Sequence, residues 1–229
     1  MPAPLIVLLP GTDGTGAFFE DLVAHLTPQA EVRVIAYPQS GPQTYEHLGA
    51  LLLAQMPTDQ DYVLVGESFG GPLAVWLAVH APRPPVRLIL DATFAASPFG
   101  RLGRWVRPLL WIGEHLPLWT WQIDLMLFNG RNRAWAQRIH DAVRLIPRRV
   151  LLDRVRAVLG CDVRSLLDAV AVPVLCLNAA RDRLIPPFLP RHFGHRSNLR
   201  IVNLDLPHMI FQSAPGSITQ HHLLPFVKD

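Results

Sequence analysis

Val63-Leu64-Val65-Gly66-Glu67-Ser68-Phe69-Gly70-Gly71 is the stretch on which the reading of this chain turns. An apolar run stops at a glycine, a serine follows two residues later, and a glycine pair opens a segment, Phe69–His80, that has a helical pattern. A strand that reverses sharply into a helix needs positions without side chains on both sides of the turn, and Gly66 and Gly70 supply them. Ser68 is then expected on a strained turn at the C-terminal end of the strand. Its hydroxyl is exposed there, beside the positive N-terminus of the following helix. A G-x-S-x-G pattern in a strand–turn–helix context points to a serine nucleophile.

The same alternation continues outward. Short apolar runs at 5–9, 32–36, 62–65, 86–90, 174–177 and 199–204 read as strands, and 17–26, 44–56, 69–80 and 165–170 read as helices. Most of the runs are continuously apolar, which suits parallel strands covered on both faces. The spacing therefore predicts an α/β fold with a mostly parallel central sheet flanked by helices. Between residues 98 and 164 helical patterns occur without a convincing strand. That stretch is read as a helical insertion, with residues 1–97 and 165–229 forming the core.

A serine hydroxyl is a weak nucleophile and needs a base, which in turn needs an orienting acid. In this chain order the acid is expected after a later strand and the histidine near the end. Asp182 follows the run 174–177 in NAARDRLIP, and His208 follows the run 199–204 in DLPHMIFQ. Asp91, directly after VRLIL, and Asp205, close to His208, are rival acids. Two backbone N–H groups are expected to form an oxyanion hole. One is that of Phe69, and the other comes from the glycine-rich LLPGTDGTG after the first strand, with Thr12 as the candidate. That loop lacks the Lys-[Ser/Thr] of a phosphate-binding P-loop and the full G-x-G-x-x-G spacing.

PGTDGTG, GESFGG, AARDRLIP and LPHMIFQ together resemble the α/β-hydrolase superfamily across nearly the whole chain. The resemblance is to compact members with a helical cap between the family's sixth and seventh strands. It implies Ser68, His208 and Asp182 as a triad and Thr12 and Phe69 as the oxyanion hole. Two departures are visible. Pro10-Gly11 stands where many members carry His-Gly, and Pro207 stands where many carry Gly or Ala. The serine disfavours the haloalkane dehalogenases and epoxide hydrolases, which use aspartate at that position.

Half of the 229 residues are hydrophobic and 17% are charged, which excludes a disordered chain. Two cysteines make neither a disulfide framework nor a zinc site, and Cys176, in VPVLCL, reads as core. No metal or organic cofactor is implied. The opening MPAPLIVLLPG has no basic start and only a short apolar run, so a cytoplasmic protein is expected. The lipophilic stretch 109–128 is broken by Glu114, His115, Pro117 and Asp124, so no transmembrane span is expected.

The net charge of +3 is unevenly spread. The 98–164 segment holds twelve arginines and five acids, a net of +7, which leaves −4 for the rest. It also holds five of the six tryptophans. Trp111 and Trp119 are candidates for an apolar acyl pocket, although packing of the cap onto the core would use them equally well. Arg144, Arg148, Arg149, Arg154 and Arg156 are candidates for an acidic partner such as an acyl carrier protein, the plainer alternative being a solvated face. Nucleic acid is not expected, because these basic residues sit on an aromatic cap. The leading expectation is a serine esterase acting on a small-molecule ester or thioester through an acyl-enzyme. An acyltransferase using the same intermediate and a non-catalytic binding module are the alternatives.

Overall fold

The computed structural model describes residues 4–100, 103, 110, 117–186 and 192–228. Six strands form one sheet: β1 (Leu5–Leu9), β2 (Glu31–Val34), β3 (Tyr62–Glu67), β4 (Arg87–Asp91), β5 (Val174–Ala179) and β6 (Leu199–Leu204). Their order is β2-β1-β3-β4-β5-β6 and every pairing is parallel. The continuous apolar runs are explained by how successive side chains divide between two cores. Leu5, Val7, Leu9, Leu64, Leu88, Leu90 and Cys176 enter one layer. Ile6, Leu8, Val63, Val65, Ile89, Leu175 and Leu177 enter the other. Cys176 is buried as expected, and burial pushes its thiol up to about 12. The edge strands β2 and β6, each with a described neighbour on one side only, have no fully buried position: their side chains are exposed or half-buried.

Helices α1 (Glu20–Leu26), α2 (Tyr45–Leu52) and α3 (Gly70–His80) connect the early strands. A run of short helical segments from Ile210 to Lys228 closes the chain behind β6. Between β4 and β5 lie α4 (Thr120–Phe128), α5 (Arg133–Val143), α6 (Arg148–Leu159) and α7 (Arg164–Asp168). Among the described residues this stretch contains no strand, only an isolated bridge from Asp162 to Ala96. Ile123, Phe128, Ala136 and Ile139 of the inserted helices pack with Phe18 and Met209 into a third apolar cluster. Phe18 follows β1 and Met209 follows β6, so the insertion rests on loops at the C-terminal edge of the sheet. No described helix is long and apolar enough to cross a membrane.

The topology fixes where chemistry can occur. From β1 the chain steps to one side to make β2, then returns past β1 to make β3. Loops leaving β1 and β3 therefore diverge, and a crevice opens outside their C-terminal ends. Thr12 follows β1 and Ser68 follows β3, so both lie at that crevice.

Candidate active site

Ser68 has φ 51°, a left-handed backbone that non-glycine residues rarely adopt. The strain is held by three bonds. The Ser68 N–H donates to Asp91 O (2.8 Å), while Thr93 Oγ1 (2.5 Å) and the Gly71 N–H (3.0 Å) donate to Ser68 O. The flanking glycines are required by close approach. A Cβ on Gly66 would lie 2.4 Å from Gly70 O, and one on Gly70 would lie 2.6 Å from Leu9 O.

Ser68 Oγ lies 3.1 Å from His208 Nε2, and His208 Nδ1 lies 2.6 Å from Asp182 Oδ2. The second Asp182 oxygen accepts the N–H groups of Leu184 and Ile185, each at 2.8 Å. All three side chains are buried. Ser68 and His208 stand 140 positions apart in sequence and meet because the parallel sheet brings the ends of β3 and β6 to one edge. The rival acids are placed elsewhere. Asp205 is exposed and pairs with Arg181 (2.8 Å). Asp91 is fully buried in β4, and its carboxyl oxygens have no hydrogen-bond partner among the described residues. Burial first, then the nearby Glu67 and Asp182, push its carboxyl well above the usual carboxylate range.

Phe69 is buried at the start of α3, its ring stacked on Tyr45 at 4.8 Å. Gly11 runs beside Ser68, since a Cβ there would lie 3.8 Å from Ser68 Cβ. Thr12 therefore sits next to the serine, and neither the Thr12 nor the Phe69 N–H is engaged by another described residue. Gly11, Thr12, Phe18, Ser68 and His208 line a cavity of about 320 Å³, whose other walls are mostly apolar side chains such as Leu118, Ile123, Leu127 and Met209, with Asp13, Glu67 and Gln122 among them. A larger, open groove of about 1020 Å³ runs between α6 and residues 39–46 and contains no triad residue.

The other candidates separate. Trp111 lies outside the described residues. Trp119 is half-exposed and stacks on Trp121, away from the cavity walls. Arg144, Arg148 and Arg149 are exposed, with Arg149 loosely paired to Asp153 (3.9 Å) and Arg156 more tightly (2.5 Å). Arg154 is a correction: it is fully buried and cannot belong to a surface cluster. The signal was available, because Val150, Arg154 and Leu159 form the buried stripe of α6.

Glu67 was not singled out by sequence. It is buried beside Ser68 and accepts from Gln212 Nε2 (3.1 Å). Burial and then Asp13 push its carboxyl up from an ordinary 4.5 to about 7, while Gln212 and His208 pull the other way. The stability that this protonated group contributes is complete below about pH 4.5 and is lost as pH rises through about 7. Glu67→Gln is therefore expected to raise stability above neutral pH, by on the order of 2–3 kcal/mol, and to leave it unchanged in mild acid. Thermal melts across that range check this. A constant difference at every pH would remove the titrating group from the account.

The alpha/beta hydrolase family model matches residues 6–219. Pimeloyl-[acyl-carrier protein] methyl ester esterase of Neisseria meningitidis is 26% identical over 210 residues, spanning 82% of this chain and 80% of that protein. The fold matches the enol-lactonase of Burkholderia xenovorans with TM-score 0.82 and 21% identity, covering 100% and 93% of the two chains. It matches an esterase from Exiguobacterium antarcticum with TM-score 0.82 and 18% identity, covering 99% and 92%. Given the all-parallel sheet, the strained serine turn and a family match along almost its full length, the chain belongs to the alpha/beta hydrolase family.

Proposed function

We propose that the protein hydrolyses a carboxylic ester or thioester with a short to medium apolar acyl group, through an acyl-enzyme on Ser68. The observation that carries this is the Ser68–His208–Asp182 relay, at 3.1 and 2.6 Å, opening into an apolar cavity of about 320 Å³. In this reading His208 Nε2 takes the Ser68 proton as Oγ attacks the acyl carbon, then gives it to the departing alcohol or thiol. Asp182 fixes the imidazole tautomer and stabilises the imidazolium. The Phe69 and Thr12 N–H groups hold the oxyanion, aided by the N-terminus of α3. Water then attacks the acyl-enzyme, with His208 as base.

The physiological form of the substrate is proposed to be carrier-linked. Arg144, Arg148 and Arg149 present a basic corner where α5 meets α6, and a curated relative is named for an acyl-carrier-protein ester. One assay tests both parts: p-nitrophenyl esters of increasing acyl length beside an ester on an acidic carrier. Turnover of both forms is expected to vanish in Ser68→Ala. Arg149→Glu is expected to lower kcat/KM for the carrier-linked ester alone, most at low salt. Turnover surviving Ser68→Ala would sink the acyl-enzyme, and equal effects of Arg149→Glu on both substrates would sink the carrier.

A further inference from the structure

Among the described residues the insertion sends one charged side chain, Arg154, into the core, and it ends on the loop beside Ser68. Arg154 of α6 donates from Nη1 to Thr12 O (2.9 Å) and Asp13 O (2.6 Å), from Nη2 to Pro38 O (3.1 Å), and from Nε to Gln43 Oε1 (2.9 Å). The guanidinium also lies 5.4 Å from the Tyr37 ring centroid. Gly14 makes room for it, because a Cβ there would lie 2.4 Å from Arg154 Nη1. All four hydrogen-bond acceptors are carbonyl oxygens, three of them backbone. A buried cation satisfied this way fixes main-chain orientation, where a salt bridge would fix a side chain.

The loop from Pro10 to Gly14 has all of its carbonyls engaged. Tyr37 Oη donates to Pro10 O (2.7 Å), the Gly14 N–H to Gly11 O (3.1 Å), and the Tyr37 N–H to Gly14 O (2.7 Å). Arg154 holds the remaining two, those of Thr12 and Asp13. In a trans peptide the carbonyl and the next N–H point in opposite directions. Tying down these carbonyls therefore sets the directions of the N–H groups from Gly11 to Thr15. The Thr12 N–H is set by Gly11 O, which the Gly14 N–H holds, and the Gly14 N–H is set in turn by Asp13 O, which Arg154 holds. Without Arg154 the part-buried Thr12 carbonyl would lose its described donor and the Asp13 carbonyl would keep only a long bond from Gln39 Nε2 (3.4 Å), a costly state that peptide rotation towards the cavity would relieve. A carbonyl oxygen turned into the cavity would repel the charge that develops on the substrate oxygen.

We propose that Arg154 is a positioning residue for the reaction: from the inserted helix it clamps the Thr12–Asp13 backbone, and through the Gly14 N–H bond to Gly11 O it keeps the Thr12 N–H turned to the oxyanion. This rests on the proposed acyl transfer to Ser68. It adds that the inserted helices complete the catalytic loop as well as roofing the cavity.

The test compares wild type with Arg154→Ala and Arg154→Lys on one p-nitrophenyl ester, with amide hydrogen exchange over residues 10–15. Arg154→Ala is expected to lower kcat by about 10–100-fold, to change KM far less, and to speed exchange in that segment. Guanidinium added at millimolar concentration is expected to refill the site and recover part of kcat. Arg154→Lys, with a point charge and no planar fork, is expected to stay low. A folded Arg154→Ala with wild-type kcat overturns the proposal. So does a loss with exchange raised evenly along the chain and no rescue, because that is general destabilisation. If Arg154→Ala does not fold, Arg154→Lys and Gln43→Ala decide by the same two readouts. If wild type turns over no ester, the acyl-transfer reading fails separately, and exchange over 10–15 still tests the clamp.

Discussion

Replacing His208 with alanine is expected to lower kcat by on the order of 10⁵–10⁶-fold while the protein remains folded. The magnitude follows from what surrounds Ser68. Its hydroxyl carries its proton at any physiological pH, and His208 Nε2, at 3.1 Å, is the described ring nitrogen in contact with it. The neighbouring carboxyl groups cannot substitute. Glu67 accepts from Gln212, and Asp13 Oδ2 accepts both the N–H (2.8 Å) and the hydroxyl (2.5 Å) of Thr15. The substitution also leaves a cavity the size of an imidazole beside the serine. Added imidazole is expected to recover a measurable fraction of the rate, and a fluorophosphonate probe is expected to label the variant far more slowly than wild type. Turnover within about tenfold of wild type would remove His208 from the mechanism.

Asp182→Asn is expected to cost roughly 10³–10⁴-fold in kcat with little change in fold, and the geometry says why. One carboxylate oxygen already accepts two backbone N–H groups, from Leu184 and Ile185. An asparagine must place its carbonyl oxygen there, since an NH₂ would face two donors. Its NH₂ is then directed at His208 Nδ1, which must become an acceptor, and the ring proton moves to Nε2. That tautomer cannot take the Ser68 proton. The rate is expected to recover as pH rises, when hydroxide competes for the role of base. Asp91→Asn is the contrast. Asp91 touches neither ring nitrogen, and burial pushes its carboxyl away from the charged form, so kcat is expected to stay within about threefold. The reverse pattern, Asp91→Asn inactive and Asp182→Asn active, would move the orienting acid to β4.

Strands and site residues were legible for a shared reason. A buried parallel strand announces itself by a continuous apolar run, and the candidates Ser68 and Asp182 lie in turns after such runs, whereas His208 follows β6, an edge strand that carries Arg200 and Asn203. Gly66 and Gly70 have no tolerance for a Cβ, so the turn around Ser68 is written in local sequence. Arg154 was misread because sign and composition place an arginine at the surface, whereas the carbonyls that bury it come from residues 12, 13, 38 and 43. Trp119 was overread because lipophilicity does not say which face of α4 it joins. Glu67 and Asp91 were obscured by being the last residues of strands whose register sets them side by side, a relation that exists only once the sheet is assembled.

The parallel order of the sheet also bears on how the chain is made. Synthesis delivers Ser68 long before His208, and the strand that carries His208 to the site, β6, is the last to join and pairs with β5 alone. The contacts that hold the strained Ser68 turn come from Leu9, Gly71, Asp91 and Thr93, all of which precede β5 and β6 in the chain. On the proposed mechanism Ser68 therefore has no base to activate it until β6 and the turn that carries His208 are in place.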